Sequence, residues 1–349
     1  MKLMIVHAKA PSLSIVASHI AKVARAMGHD VKVSSDYIHQ DFLFYRPNAI
    51  LWIFPVNTTM SGRYAGQYST NKIYAKSLKQ AWYGTTEGTP YGEPSRYPVW
   101  YNIDFIANSM YTANKLSEVG YHVLDIVHHA YDPDENREAT EYAEFLRKKI
   151  ERDFPGKVIF AIAEGSHLRK GWHKLVDALN KIPENVRSKF IVLAIADKPT
   201  MEKVLPNAPK DSIYVVGQFG QMARKQVLAL FKLADYVLVP SLAEGFGLPV
   251  LEANSLGRLA IFVNMEPFNE FADVKANITF PWDNIKEIVD NGVEFELHDY
   301  DPQYLADAIV NAVDMAKSGE YEERAKRAYD TVKDMTITNL YSKIVKYIE

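Results

Sequence analysis

Runs of apolar residues alternate with amphipathic stretches along most of this chain. Leu3-Met4-Ile5-Val6-His7 reads as a strand, and Ile15 to Met27 carries helical spacing that Gly28 stops. Val31-Lys32-Val33 and Ala49-Ile50-Leu51-Trp52-Ile53-Phe54 read as the next strands, and further βα units follow around Gln80–Tyr83 and Ile103–Ala107. A helix over Ser109–Val119 ends at Gly120, before a strand at Val123–Val127. Charged Asp132–Asp153 fits an outer helix, and Phe154-Pro155-Gly156 marks a boundary. Such a βαβ series predicts a doubly wound sheet.

A second series then begins. Val158–Ala163, Ile191–Ala196, Tyr214–Val216, Tyr236–Val239 and Leu259–Val263 read as strands. Gly171–Leu179, Gln221–Lys232, Asp301–Met315 and Asn339–Ile348 read as helices. The pattern predicts an α/β protein with units at 1–153 and 154–333 and a closing segment at 334–349. Two such halves imply a ligand cleft at the carboxyl ends of their strands.

The most informative stretch is Ala234 to Glu252. An apolar strand ends at Pro240-Ser241, Glu244-Gly245-Phe246-Gly247 forms a tight loop, and Pro249 suits a first helical turn. Gly245 and Gly247 permit positive φ and close approach of a ligand to the main chain. Strand, glycine loop and helix N-terminus make an anion site. Glu244 and Glu252 bracket it, and carboxylates accept hydrogen bonds from paired hydroxyls. Arg169-Lys170 stands before another helix start, a planar fork beside a point charge, and fits a diphosphate cradle.

Composition narrows the class. The 349 residues suffice for two cores. A net charge of −3 argues against a general nucleic-acid binder. No cysteine is present, which removes disulfides, thiolate metal sites and thiol nucleophiles. No apolar run approaches the roughly 18 residues that span a bilayer. The opening residues read as a strand rather than a signal peptide, so a cytoplasmic protein is expected.

The string EGFGLPVLEA closely resembles the signature of the retaining glycosyltransferases of family four. The fragment IDFIANSMYTANKLSEVGYHVLDIVHHAYDPD resembles the passage that closes their first domain, and VIFAIAEGSHLRKGWHKLVDAL the one that opens their donor domain. The resemblance is strong after about residue 100 and weak before it. It implies the GT-B fold, two Rossmann-like domains around a cleft, with the last helix crossing back to the first. It further implies transfer from a nucleotide diphosphate sugar, a UDP- or GDP-sugar foremost, to an unknown hydroxyl acceptor, with no cofactor and no metal. Helix N-termini and basic side chains would neutralise the leaving diphosphate.

By this resemblance Glu244 would bind the donor sugar, Glu252 the ribose, and Lys170 with Arg169 the diphosphate. Backbone N–H groups of Phe246, Gly247 and Leu248 would hold the distal phosphate, with the base near Gln218 and Phe219. Relatives place an arginine where this chain has Gly165, so either Arg169 would substitute or the diphosphate contacts would differ. On the other side of the cleft stand Glu87, which orients a substrate or caps a turn, and the pair His128 and His129, of which His128 is taken for the cleft. Asp132–Glu135 and His298-Asp299 read as solvated loop charge rather than metal ligands.

The acceptor side departs from the family: Lys9-Ala10-Pro11-Ser12 stands where relatives carry a glycine pair. No acidic residue lies between Asp41 and Glu87, whereas Arg46, Arg63, Lys72, Lys76 and Lys79 do. This fits a glycan, lipid-linked or protein acceptor, a peripheral membrane contact, or merely a charged surface over an aromatic core. An epimerase or phosphorylase of the same fold, or a non-catalytic nucleotide-sugar or glycan binder, matches the same motifs.

Overall fold

The computed structural model describes residues 1–35, 44–55, 78–90, 104–290, 292–316 and 318–349. Arg63, Lys72 and Lys76 of the basic stretch, and the apolar and polar positions around them, lie outside these residues.

Strands β1 (Lys2–His7), β2 (Asp30–Ser35), β3 (Ala49–Pro55), β4 (Lys79–Thr85), β6 (Asp104–Ala107) and β7 (Val123–Ile126) form one parallel sheet in the order β2-β1-β3-β4-β6-β7. The central strands are apolar throughout because helices cover both faces. Ile5 accordingly pairs with Val33 on one side and Leu51 on the other. Helix α1 (Pro11–Ala26) starts four residues earlier than its apolar spacing suggests. Pro11 opens it, where the missing N–H is harmless and the fixed φ already suits a helix.

The second sheet consists of β8 (Val158–Glu164), β9 (Phe190–Ala196), β10 (Ile213–Gln218), β11 (Tyr236–Val239), β12 (Leu259–Val263) and β13 (Ile278–Phe280). All are parallel, in the order β10-β9-β8-β11-β12-β13. The winding reverses between β8 and β11, which is where open α/β sheets take their ligands. The glycine loop leaves β11 at this crevice, and the Arg169-Lys170 turn follows β8.

A third sheet went unread in the sequence. Strands β14 (Asn284–Asp290) and β15 (Val293–Asp299) run antiparallel, and β5 (Thr89–Pro90) adds to β15 through the pairs Val293–Pro90 and Glu294–Thr89. It joins the two halves directly. His298 and Asp299 therefore close a strand and are not loop charge. The Asp299 carboxylate lies 2.7 Å from both Lys174 and Lys286, and the His298 N–H donates to the Leu242 carbonyl at 2.8 Å.

Helix α2 (Met110–Glu118) follows β6, and α3 (Pro133–Asp153) follows β7. The remaining long helices are α4 (Trp172–Lys181), α5 (Arg224–Leu233), α6 (Leu248–Ser255), α7 (Pro302–Met315), α8 (Gly319–Val332) and α9 (Ile337–Ile348). Helix α3 is mostly exposed, but Ala139 and Ala143 are fully buried and belong to the core of the second sheet, against α5. Helix α9 crosses back to the first sheet. Its Ile337, Tyr341, Ile344, Val345 and Ile348 are buried in that sheet's core, beside α1. The fold is thus the GT-B arrangement of two Rossmann-like sheets with a returning C-terminal helix.

Candidate active site

A cleft of about 460 Å³ lies between the two halves. The second half supplies Glu164, Gly165, Arg169, Lys170, the loop Glu244–Leu248 and Glu252, and the first half supplies Pro11–Leu13, Thr85, Glu87, Asn108 and His129. Its volume is within the range of small-molecule sites.

Its polar end is assembled by the turn Leu168–Lys170. Gly171 ends that turn at φ 69°, and a Cβ there would come within 1.9 Å of the Pro240 carbonyl oxygen, so only glycine lets the two loops meet. The Leu242 N–H donates to the Arg169 carbonyl at 2.6 Å and locks them together. Lys170 Nζ then reaches Glu244 Oε1 at 2.6 Å and Glu164 Oε2 at 3.0 Å. Arg169 Nη2 donates to Glu87 Oε1 across the cleft at 2.6 Å, and Nη1 to the Ala243 carbonyl at 3.2 Å, with Glu244 Oε2 at 3.4 Å.

Burial shapes the charge of this cluster. It would raise the Glu244 carboxyl, but Lys170 and Arg169 outweigh it and hold that group below its ordinary range. For Glu164 burial wins: together with the neighbouring Glu244 charge it holds this carboxyl above its ordinary range, against Lys170 and Arg169. Both cations are likewise disfavoured by burial, yet their carboxylate neighbours keep them charged.

The two loop glycines differ in role. Gly247 has φ 97°, and a Cβ there would strike the Phe268 ring at 2.1 Å. Gly245 does not have positive φ; a Cβ there would meet Thr85 Oγ1 at 2.3 Å and the Thr86 carbonyl oxygen at 2.7 Å. Its own carbonyl accepts from Ser109 Oγ at 2.7 Å. The close approach that Gly245 permits is therefore between the two halves of the protein. Phe246 stacks on Phe271 with centroids 4.4 Å apart and meets His129 edge-on at 5.1 Å. Leu248 begins α6 and lines the cleft with Gly247 and Pro249, while the Val250 N–H turns back to the Gly247 carbonyl at 3.0 Å.

Glu252 is buried, with Oε1 at 2.7 Å from Arg224 Nη1. Arg224 Nε continues to Glu135 Oε2 at 3.1 Å, and Glu135 Oε1 lies 3.0 Å from His19 Nε2 on α1. Asp132, the N-cap of α3, is buried and pairs with Lys22 at 2.6 Å. Asp132 and Glu135 are thus held in partly buried ion pairs at the start of α3 and are not solvated loop charge. Among the described residues, His19, Asp132 and Glu135 form the one group whose potential ligand atoms lie within 4.8 Å of one another. Lys22 and Arg224 already engage its carboxylates.

Two further expectations need correction. His128 does not line the cleft: Glu270 Oε2 holds its Nε2 at 3.2 Å, and the same carboxylate accepts the first N–H groups of α2 from Met110 and Tyr111. Of this pair, His129 lines the cleft. Tyr83 Oη lies 2.9 Å from its Nδ1 and donates to the Val127 carbonyl, and Asn108 Nδ2 lies 3.2 Å from its Nε2. This pattern puts the proton on Nδ1. Burial, helped by the neighbouring histidines, pushes His129 down to about 3, so it is neutral. Gln218 ends β10 outside the cleft lining, whereas Phe219 lines it beside Gly165, whose added Cβ would lie 3.5 Å from the Phe219 ring. Sequence reasoning also missed Glu164, Arg224 and Asn108. The position of Glu164 at the end of a buried strand was the available signal.

Comparison with known proteins bears on this site. The family model described as glycosyl transferases group 1 matches residues 143–329. The chain is 26% identical over 342 residues to "Uncharacterized glycosyltransferase 335" of Sulfolobus islandicus rod-shaped virus 1, covering 96% of this chain and 97% of the relative. Among solved structures, a glycosyltransferase from Rickettsia africae superposes with a TM-score of 0.74 at 14% identity, covering 99% of this chain and 97% of the other. HepE of Anabaena, in complex with UDP and glucose, superposes with a TM-score of 0.68 at 13% identity, covering 99% and 98%. The same protein is also known bound to UDP-glucose.

Proposed function

From the premise that the chain belongs to the glycosyl transferases group 1 family, we propose that it moves a sugar, with retention of configuration, from a UDP-sugar to a hydroxyl acceptor. The observation that carries this reading is the convergence of Arg169, Lys170 and Glu244 on one end of the cleft. Two part-buried cations beside the α6 N-terminus suit a diphosphate, and the adjoining carboxylate suits sugar hydroxyls. The choice of UDP rests on the ligands of the Anabaena structures.

Glu252 would take the ribose, exchanging Arg224 for the paired hydroxyls or binding them with its second oxygen. Phe219 beside Gly165 would offer a face to the base. His129, neutral and oriented by Tyr83 and Asn108, would face the transferred sugar from the first half. As the glycosidic bond to the diphosphate breaks, negative charge grows on the leaving oxygen. Arg169, Lys170 and the N–H groups of α6 stabilise it without relocation, and that preorganised field is the main source of rate. The same oxygen takes the acceptor's proton, so no side chain is needed as base, and charge neutralisation by these groups makes the reaction independent of a divalent cation.

Thermal-shift measurements with UDP, GDP and ADP, free and with sugars attached, test the donor. A nucleotide at a hundredfold excess over its dissociation constant stabilises the folded state by about 2.7 kcal/mol. A selective shift with UDP and UDP-sugars that persists in EDTA is expected. Lys170→Ala and Glu244→Ala should each lower turnover at least a hundredfold while the circular dichroism spectrum is unchanged. Unaltered turnover in both variants would sink the assignment.

A further inference from the structure

Three carboxyl groups meet two cations at the polar end of the cleft. Glu87, Glu164 and Glu244 contact Arg169 and Lys170, with every hydrogen bond or ion pair between 2.6 and 3.4 Å. Were all five charged, the cluster would carry an excess negative charge before any ligand arrived. A diphosphate would add two more in a buried setting, where unbalanced charge is costly. Glu244 is held ionised by both cations, and Glu87 accepts a 2.6 Å bond from Arg169. Glu164 differs. Only its Oε2 is engaged, at 3.0 Å from Lys170, while Oε1 is buried and has no hydrogen-bond partner. The residue is 3% exposed and lines the cleft.

We propose that Glu164 is a further ligand-binding residue of this cleft, carrying a proton on Oε1 and donating it as a hydrogen bond to a phosphate oxygen of the bound nucleotide sugar. The inference rests on the donor reading above. It supplies what the departure at Gly165 removes, a hydrogen-bond donor at the end of β8. The groups that act on Glu164 are Lys170 and Arg169 from the turn and Glu244 from the glycine loop; Glu87 engages Arg169 from across the cleft, and Asp197 accepts from the Ser166 N–H at 2.8 Å. Burial and the Glu244 charge favour the acid form, and the two cations oppose it without prevailing. The proton comes from solvent, no covalent bond forms, and the cluster carries one negative charge fewer when the diphosphate enters. An otherwise orphaned buried oxygen thereby gains a partner.

UDP-glucose is the probe, because its diphosphate keeps its charge across the neutral range, with EDTA present so that no added cation balances it. Infrared difference spectra of the complex at pH 7 should show a protonated-carboxyl band that ¹³C-glutamate labelling shifts and Glu164→Gln abolishes. Affinity should weaken as pH rises through the Glu164 titration, by up to about tenfold per pH unit, the limit for one proton. Glu164→Gln keeps the shape and a donor N–H but cannot ionise, so its affinity should stay near the wild-type maximum from pH 5 to 10. Uridine, which lacks phosphate, should leave the band unmoved. Absence of the band from the wild-type complex, or coincident pH profiles for wild type and variant, would overturn the proposal. If Glu164 merely balances Lys170, the variant loses thermal stability and the pH profile is unchanged, which counts against it equally. Failure of UDP-glucose and every other nucleotide sugar to bind would instead refute the donor reading, and the band in the free protein would still report the proton.

Discussion

At the scale of single residues, chemistry depends on which of two neighbours faces inward. His128 and His129 are equivalent in a sequence pattern, yet one is drawn to Glu270 and the other is packed under Phe246. No periodicity decides this, because β7 ends at Ile126 and the backbone beyond it is irregular. The motif residues were legible: Glu244 and Glu252 stand in a string whose glycines and proline dictate its shape, and Lys170 precedes a helix start. The partner of Glu252 was not, since Arg224 comes from a helix that only the folded chain brings to it. The neutral state of His129 has a consequence for stability. Its folded value of about 3 lies below the ordinary 6.5, so between these limits the unfolded chain binds a proton that the folded chain does not. Its contribution is complete above about pH 6.5 and falls as the pH drops towards 3, at up to about 1.4 kcal/mol per unit. Urea melts at pH 7 and 4.5 should show a smaller loss for His129→Gln than for wild type; equal losses would mean that His129 is charged when folded.

At the scale of elements, what the sequence revealed is what is buried on both sides. The strand β9 is apolar and buried at every position, β11 and β12 are alike, and β8 departs only at its last residue, Glu164. The ribbon was missed because β14 is mostly exposed and interleaves Lys286, Glu287 and Asp290 with its apolar positions, which reads as a polar connection. Helix α9 shows the opposite case, a short amphipathic segment whose apolar stripe is complete: Ile337, Tyr341, Ile344, Val345 and Ile348 all vanish into the first core. Truncating one of them leaves a cavity far from the cleft. Ile344→Ala should cost about 2–5 kcal/mol in chemical denaturation, the range for large-to-small core changes. A loss below 1 kcal/mol would show that α9 is only loosely seated.

At the scale of the whole molecule, the two halves are held by more than a hinge. Strand β5 pairs with β15, Lys115 reaches Glu296 at 2.8 Å, Glu270 caps α2, and the Gly245 carbonyl binds Ser109. Gly88 lies at the tightest of these crossings, where a Cβ would come within 2.2 Å of the Glu294 carbonyl oxygen. Backbone cannot yield there as a flexible side chain would. Gly88→Ala should therefore separate β5 from β15, lowering the melting temperature and enlarging the radius of gyration in X-ray scattering. Unchanged values on both counts would show that this crossing does not hold the halves together. The returning helix α9 also bears on how the chain is made. The ribosome delivers β1 to β7 first, but the surface that α9 covers stays bare until roughly 200 further residues have emerged. Through that interval the earliest strands must wait, their apolar flank open to chaperones or to other nascent chains, while the later sheet can close around its own core. In this molecule the half that is synthesised first is the half that is finished last.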